Sequence, residues 1–442
     1  MCLALLSSMS RVRVKAKNHQ PSLRKNFLWV LLGNFIYGGA QWGIVILLAQ
    51  LGSPAVVGRF ALGLAVCSPI FMFTNLRLRE IIATDARREY SFPEYLGLRL
   101  TGSSLAFLCI AVIAVIFGYD SAQIIIIMMI AGAKYIESIS DVIYGYSFLK
   151  ERMDMPAKSM IIKGALSLMA VSVLFILTRS LVVSLLGLGA AWIIVLVFYD
   201  IPSFRDAPNL LEEKVRGGSP SRFRPDFSLI KLRSILLLAL PLGVYQLLYT
   251  LQTNLPRYVI EWERGENELG IFAAIAYFPI VGARIVNALG RAINPRLAKN
   301  IMLGNLKAHT HLFWRYMLIS LLVGLIGVIG VYILGREILN LVYGNEYAGH
   351  TELFMLIMVV AAIEYICLTL TFNLISTRRF VVLIPVFVIS NLTVLLASFW
   401  LIPRHGLMGA GAAVCIGNLL CLIGLTVGLV RQYRRLGAGL VS

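Results

Sequence analysis

Uncharged apolar stretches of about 20 residues, the length a helix needs to cross the hydrocarbon core of a bilayer, recur along nearly the whole chain. Twelve can be read, at roughly 27–50, 54–76, 97–119, 121–148, 158–178, 180–200, 232–256, 269–290, 315–335, 353–377, 380–403 and 407–430. Backbone polar groups in lipid need partners within their own segment, so each stretch is expected to be a helix. The composition agrees: 59% of the residues are hydrophobic and 14% charged, against about 25% charged in soluble domains. The expected fold is an all-α polytopic membrane protein with about twelve transmembrane helices.

The formal charge of +18 does not point to nucleic acid, because the basic residues sit in short loops between apolar spans with no basic face interleaved with aromatics. They report topology instead. With the N-terminus assigned to the cytoplasm, 32 Lys and Arg fall on that side or at its span ends and 5 on the other, Arg179, Arg257, Arg264, Arg336 and Arg404. A missed or invented helix would scramble that split, so both termini are expected in the cytoplasm. The opening MCLALLSSMS lacks a basic region before its apolar residues, and the first helix is expected to stay as an anchor. Five of the six cysteines lie inside apolar spans and none forms a CxxC pair, which reads as small apolar residues. His309 and His311 stand two apart without partner ligands. No metal site and no cofactor are expected.

The longest polar break, 201–230, carries GGSP and four prolines and reads as a linker. The expected organisation is a cytoplasmic N-terminal segment 1–26, a six-helix bundle 27–200, a cytoplasmic linker 201–231, a second six-helix bundle 232–430 and a cytoplasmic tail 431–442. The halves look related. VGRFALGLAVCSPI at 57–70 and LGIFAAIAYFPI at 269–280 share an apolar-Gly-x-Phe-Ala start and a Pro-Ile about ten residues on. AKYIESI at 133–139 sits over IEYICLT at 363–369, placing Lys134 over Glu364. Six helices is an even number, so the copies keep one orientation and are related by an axis along the membrane normal.

Six ionisable residues lie within the spans: Arg59, Lys134, Glu137, Asp141, Arg284 and Glu364. A charge at the bilayer centre costs on the order of 3 kcal/mol on the most lenient scale, so these groups face protein, water or substrate. Lys134, Glu137 and Asp141 share one helical stripe. Lys134 with Asp141 is expected to be a structural charge set, with Glu137 either neutralising Lys134 or coupling an ion. Glu364 has no local base, and fits either an ion-coupling site or a packed, protonated carboxyl. Arg284, Asn287 and Arg291 form a polar stripe towards the cytoplasmic end of the eighth helix, suited to the bidentate binding of phosphate oxygens by guanidinium; snorkelling is the other account of the arginines. Arg59 lies a turn inside the outer end, where snorkelling also fits. Asn34, Tyr37 and Gln41 stripe the first helix, either holding helices together or lining a cavity for sugar hydroxyls.

No GxxxxGK[ST], HExxH or GxSxG occurs, and the longest outer loop, 336–352, is expected to be short. GNFIYGGAQWGIVILLAQLGSPAVVGRFALGLAVCSPIFMF, NLRLREIIATDARREYSFPEYLGLR, LGIFAAIAYFPIVGARIVNALGRAINPRLAK, LVYGNEYAGHTELF and IPRHGLMGAGAA resemble stretches of the bacterial Wzx-type polysaccharide-unit flippases. These belong to the multidrug, oligosaccharidyl-lipid and polysaccharide (MOP) exporter superfamily. The resemblance implies a MATE-like pair of six-helix bundles with a V-shaped cleft, in a bacterial inner membrane. It implies a transporter rather than an enzyme, moving an undecaprenyl-diphosphate-linked oligosaccharide to the outer leaflet for exopolysaccharide or O-antigen assembly. Its expected partners are that lipid, the bilayer, and as candidates a polysaccharide polymerase and chain-length regulator. Arg284, Asn287, Arg291, Arg59, Asn34 and Gln41 are the candidate substrate-binding residues, Glu364 and Glu137 the candidate coupling carboxylates. Drug exporters of the superfamily often carry an acidic residue in the first helix; 27–50 has none. The alternatives are a cation-coupled drug antiporter of the same fold and a membrane sugar polymerase or ligase.

Overall fold

A computed structural model of the protein describes residues 23–85, 89–205, 224–376 and 383–438. The expected N-terminal segment and the linker fall largely outside these residues. Among the described residues the secondary structure is helical throughout. The first six crossings are α1 (Leu23–Leu51), α2 (Pro54–Thr74), α3 (Phe92–Ile116), α4 (Ser121–Leu149), α5 (Asp154–Thr178) and α6 (Leu181–Arg205).

Ten apolar helical stretches are long enough to cross a membrane among the described residues, but two are far too long for one crossing. Leu229–Met302 has 74 residues, roughly 110 Å if straight. It reverses at Gly265, whose φ of 80° suits a residue without a Cβ. Arg257 before the turn and Tyr277 after it come within electrostatic reach of each other. The stretch is therefore α7 (229–264) and α8 (266–302), with α8 interrupted at Ala276–Tyr277 just before Pro279. Leu383–Ala438 reverses at Gly406 (φ 57°), giving α11 (383–405) and α12 (407–438), which lie side by side with Gly417 against Ser390 and Gly424 against Val386. With α9 (Leu306–Tyr343) and α10 (Thr351–Ser376) between them, twelve long helices result among the described residues.

Helix ends follow local chemistry. Ser91 and Glu94 close a capping box on α3, and Asp120 and Gln123 another on α4. The expected loop 336–352 is mostly helical instead: α9 runs to Tyr343, kinked at Leu334, and a short helix Asn345–Ala348 follows. Apolar Ile338, Leu339 and Val342 pack into the core there, and that burial outweighs the polar residues between them.

Helices α1–α6 pack among themselves, α7–α12 likewise, and α2 lies along α7 and the start of α8 as the seam between the halves. We call the end of the molecule where α1 begins the near face and the end bearing Gly52, Gly265 and Gly406 the far face. A Cβ on Gly270 would overlap the carbonyl oxygen of Pro54 and crowd the backbone nitrogen of Gly58. A Cβ on Gly58 would overlap the carbonyl oxygen of Glu266. Gly58 and Gly270 are the two glycines of the repeated motif, so the copies meet each other where the halves touch. On the near face Asp226 accepts from the Ser228 backbone N–H at 2.9 Å, which holds its carboxyl below the usual carboxylate range. Lys231 there bridges Asp226 and Glu94, clasping the start of the second half to α3.

The seam gives a direct test. Gly270→Ala forces backbone apart and is expected to destabilise the protein by about 1–3 kcal/mol. Gly189→Ala, where a Cβ meets open space, should be neutral. Melting of the two purified variants in detergent compares them, and equal melting temperatures would remove the seam's special role.

Candidate functional site

Between the halves lies a cavity of about 1110 Å³. Its walls come from α1, α4 and α5 on one side and α7, α8, α10 and α12 on the other, with Arg77 and Arg79 from the turn after α2 and the short helix Leu78–Thr84 that follows it. It is closed towards the far face by aromatic contacts across the halves. Trp42 packs edge-on against Phe278 at 5.3 Å and donates to the Tyr343 hydroxyl at 2.8 Å. Tyr343 in turn donates to the Ala274 carbonyl at 2.7 Å. Beyond them Gln50 reaches the carbonyls of Leu341 and Val342.

Five arginines line the cavity, Arg77, Arg79, Arg257, Arg284 and Arg291, against two carboxylates, Glu137 and Glu364. The α8 stripe expected from sequence is present: Arg284, Asn287 and Arg291 all face it. Arg284 crosses to α1 and donates to the Asn34 carbonyl at 3.2 Å. It fits because residue 38 is glycine, as a Cβ there would overlap the guanidinium. Asn34 also lines the cavity; its own amide is spent on the Val30 carbonyl at 2.7 Å.

Each half carries one tyrosine–glutamate pair in this cavity. On the first side Tyr37 of α1 donates to Glu137 of α4 at 2.8 Å. On the second Tyr249 of α7 donates to Glu364 of α10 at 3.3 Å. The two carboxylates thus play matching parts in the cavity, each accepting from a tyrosine on the first helix of its own half. The pairs then differ. Glu137 also binds Lys134 at 2.8 Å, whereas among the described residues no basic side chain forms an ion pair with Glu364. A small pocket of about 30 Å³, lined by Gln252, Thr253, Thr371 and Asn418 among others, adjoins Glu364 instead.

Other sites named from sequence separate from this cavity. The expected charge pair of Lys134 with Asp141 is corrected: Lys134 pairs with Glu137 and lies over the Trp192 ring at 5.7 Å. Asp141, two turns on, binds Arg99 at 2.8 Å and Arg79. Helix geometry put the three on one stripe, but cations on neighbouring elements decide the partners. Arg59 does not reach the cavity; it is held by Glu266 at 2.7 Å near the far face. Gln41 is absent from the cavity lining, and its Nε2 is buried without a partner among the described residues.

Sequence reasoning missed four groups. Arg99 is fully buried and Lys163 and Asp200 nearly so, the last two paired at 2.9 Å. Arg99 and Lys163 fell at expected span ends and were counted with the cytoplasmic-side charges, and Asp200 closes the expected span 180–200. Ser140 and Tyr144 complete the Lys163–Asp200 network, at a π-helical turn, Leu196–Asp200. Arg257, read as an outer-loop residue, lines the cavity. The usable signal was an acid–base pair near two adjacent span ends.

The helical fold with its paired halves is that of solved membrane transporters described as MOP-superfamily members. A solved structure described as lipid II flippase MurJ in an inward closed conformation superposes with a TM-score of 0.68 at 13% identity, covering 91% of this chain and 87% of that one. An inward-facing multidrug resistance MATE family transporter of the MOP superfamily superposes at 0.64 and 14% identity, covering 93% and 95%. The family model described as polysaccharide biosynthesis protein matches residues 23–301, and the chain belongs to that family. The capsular polysaccharide biosynthesis protein CapF of Staphylococcus aureus is 27% identical over 401 residues, 90% of this chain and 97% of that protein.

The asymmetry of the two tyrosine–glutamate pairs sets an expectation for Lys134. Lys134→Ala strands Glu137, and should lower stability by about 2 kcal/mol, less than the 3–5 kcal/mol of a fully buried pair because both side chains keep partial exposure. Lys134→Ala combined with Glu137→Gln should recover most of the loss. Yield and melting temperature of the folded variants provide the check; a double variant no more stable than the single one would sink the pairing argument.

Proposed function

We propose that the chain is a flippase that carries a lipid-diphosphate-linked oligosaccharide from the cytoplasmic to the outer leaflet of a bacterial inner membrane, for surface polysaccharide assembly. The observation that carries this reading is the charge of the cavity, five arginines against two carboxylates. An apolar-walled cavity with excess cation selects an anion, and guanidinium groups bind diphosphate oxygens in bidentate fashion. A drug antiporter for cationic substrates needs the opposite balance. Family membership in polysaccharide biosynthesis supports the saccharide.

The basic loops make the near face cytoplasmic, with both termini there. Arg77, Arg79 and Arg291 meet the diphosphate first and Arg284 holds it mid-cavity, while the prenyl tail stays in lipid. Rocking of the halves about the α2–α7 seam then exchanges access from near to far face. Glu364, with Tyr249 as its hydrogen-bond donor and no ion pair among the described residues, is the coupling carboxylate. Lys134 fixes its counterpart Glu137 as structural.

Arg284→Ala should reduce export by about tenfold or more, the loss expected for charge-assisted hydrogen bonds of about 1.5–3 kcal/mol. Arg284→Lys should restore part of it, since an ammonium lacks bidentate geometry. Surface polysaccharide, normalised to protein in the membrane, is the readout; full export by the Ala variant would falsify the headgroup role. Glu364→Gln should fold normally but flatten the dependence of transport on the proton gradient in liposomes. Wild-type transport with an unchanged pH response would leave Glu364 as a packed carboxyl.

A further inference from the structure

Four of the five cavity arginines have a place in the capture of a diphosphate from the near face. Arg257 does not. It stands at the closed end, on α7, with Phe272 and Ala276 of α8 as fellow lining residues. Tyr277, at the break in α8, lies within electrostatic reach of both Arg257 and Arg284. A guanidinium offers five N–H donors. That of Arg257 finds Asn254 Oδ1 at 3.2 Å, while its buried Nε has no partner, and it forms no ion pair among the described residues.

An unneutralised cation at this depth is costly and is retained where a ligand or a water-filled path requires it. In the first half the deep cations other than Arg77, which donates to Gln246, have acids: Arg99 and Arg79 share Asp141, Lys163 has Asp200 and Lys134 has Glu137. Arg257 is exempt from that rule, as is Arg284.

We propose that Arg257 is a second oxyanion station, at the closed end of the cavity, filled by an anionic group of the transported molecule. This rests on the flippase reading. The group is either the diphosphate, advanced from Arg284, or a carboxylate on an acidic sugar that enters ahead of it. Both present paired oxygens to the guanidinium. Arg257 then holds the substrate against the aromatic closure of Trp42, Phe278 and Tyr343, poised for release when that closure parts.

The test uses the full-length protein in nanodiscs, titrated calorimetrically with geranyl diphosphate and separately with glucuronate. Wild type is expected to take up two equivalents of geranyl diphosphate, or one together with glucuronate. Arg284→Gln should lose one geranyl diphosphate site. Arg257→Gln should lose the second geranyl diphosphate site, which assigns the station to the diphosphate, or lose glucuronate, which assigns it to an acidic sugar. Should the Gln variant misfold, Arg257→Lys keeps the charge without the fork and should weaken the same site about tenfold. Unchanged binding of both probes in the Arg257 variants overturns the station while leaving the Arg284 site standing. No geranyl diphosphate binding by the wild type overturns the flippase reading and the station together.

Discussion

The contact of Gly58 with the start of α8 fixes the rest of the architecture. Both glycines of the repeated motif lie where a single methyl group would meet main chain of the other half. Lipid tails are as apolar as leucine, so helices associate in a bilayer through close packing rather than through a hydrophobic drive. A seam made from the smallest residue is therefore a strong way to join two bundles. It also lies on the axis relating them, which is where a contact can persist while everything farther out moves. The cavity opens to one side of this seam, walled by α1 and α8, and its width at the near face depends on how the halves sit about it.

The halves treat buried charge differently. In α1–α6 each deep cation has an acid: Lys163 with Asp200, Lys134 with Glu137, and Arg79 with Arg99 on Asp141. Removing one partner of such a set leaves a charge where solvation is poor, so these pairs hold their helices in register. In α7–α12 the cations of the cavity, Arg257, Arg284 and Arg291, form no ion pairs among the described residues. Apart from Arg77, which donates to Gln246, the first half is thus internally neutralised, and the cavity cations of the second are left to be neutralised from outside.

What the sequence disclosed follows from range. Span number, the six-and-six division and the shared Gly-x-Phe-Ala motif are local or periodic patterns, and all were legible. So was the stripe Arg284, Asn287 and Arg291, because helical spacing alone puts its members on one face. Partners were not. Asp141 is claimed by arginines from α3 and the turn after α2, and Arg59 by Glu266, and only packing between helices brings these together. The boundaries failed in one direction. Polar residues at span ends were assigned to loops, so Arg99, Lys163 and Arg257 were placed in water, and the α9 extension to Tyr343 was read as a loop. A helix that continues past its apolar stretch is stabilised by tertiary contacts such as the Tyr343–Ala274 hydrogen bond, which leave no periodic trace.

The distribution of arginines also bears on how the halves move. Arg77 and Arg79 belong to the first half and Arg284 and Arg291 to the second, facing one cavity from both sides. Asp141 offsets Arg79, and Glu80 attracts Arg291 while Arg77 and Arg79 repel it across the cavity, in a space with apolar walls that screen charge poorly. With the cavity empty, this repulsion favours separation of the near-face ends. On the flippase reading, a bound diphosphate replaces like-charge repulsion with attraction to both sides, and the near-face ends draw together only when cargo is present. An acidic ligand is then more than a selected passenger: closure has a free-energy source in its charge. A neutral lipid-linked saccharide of the same size would fill the cavity without supplying that differential, and a ligand shifts an equilibrium only by the difference in its affinity for the two states.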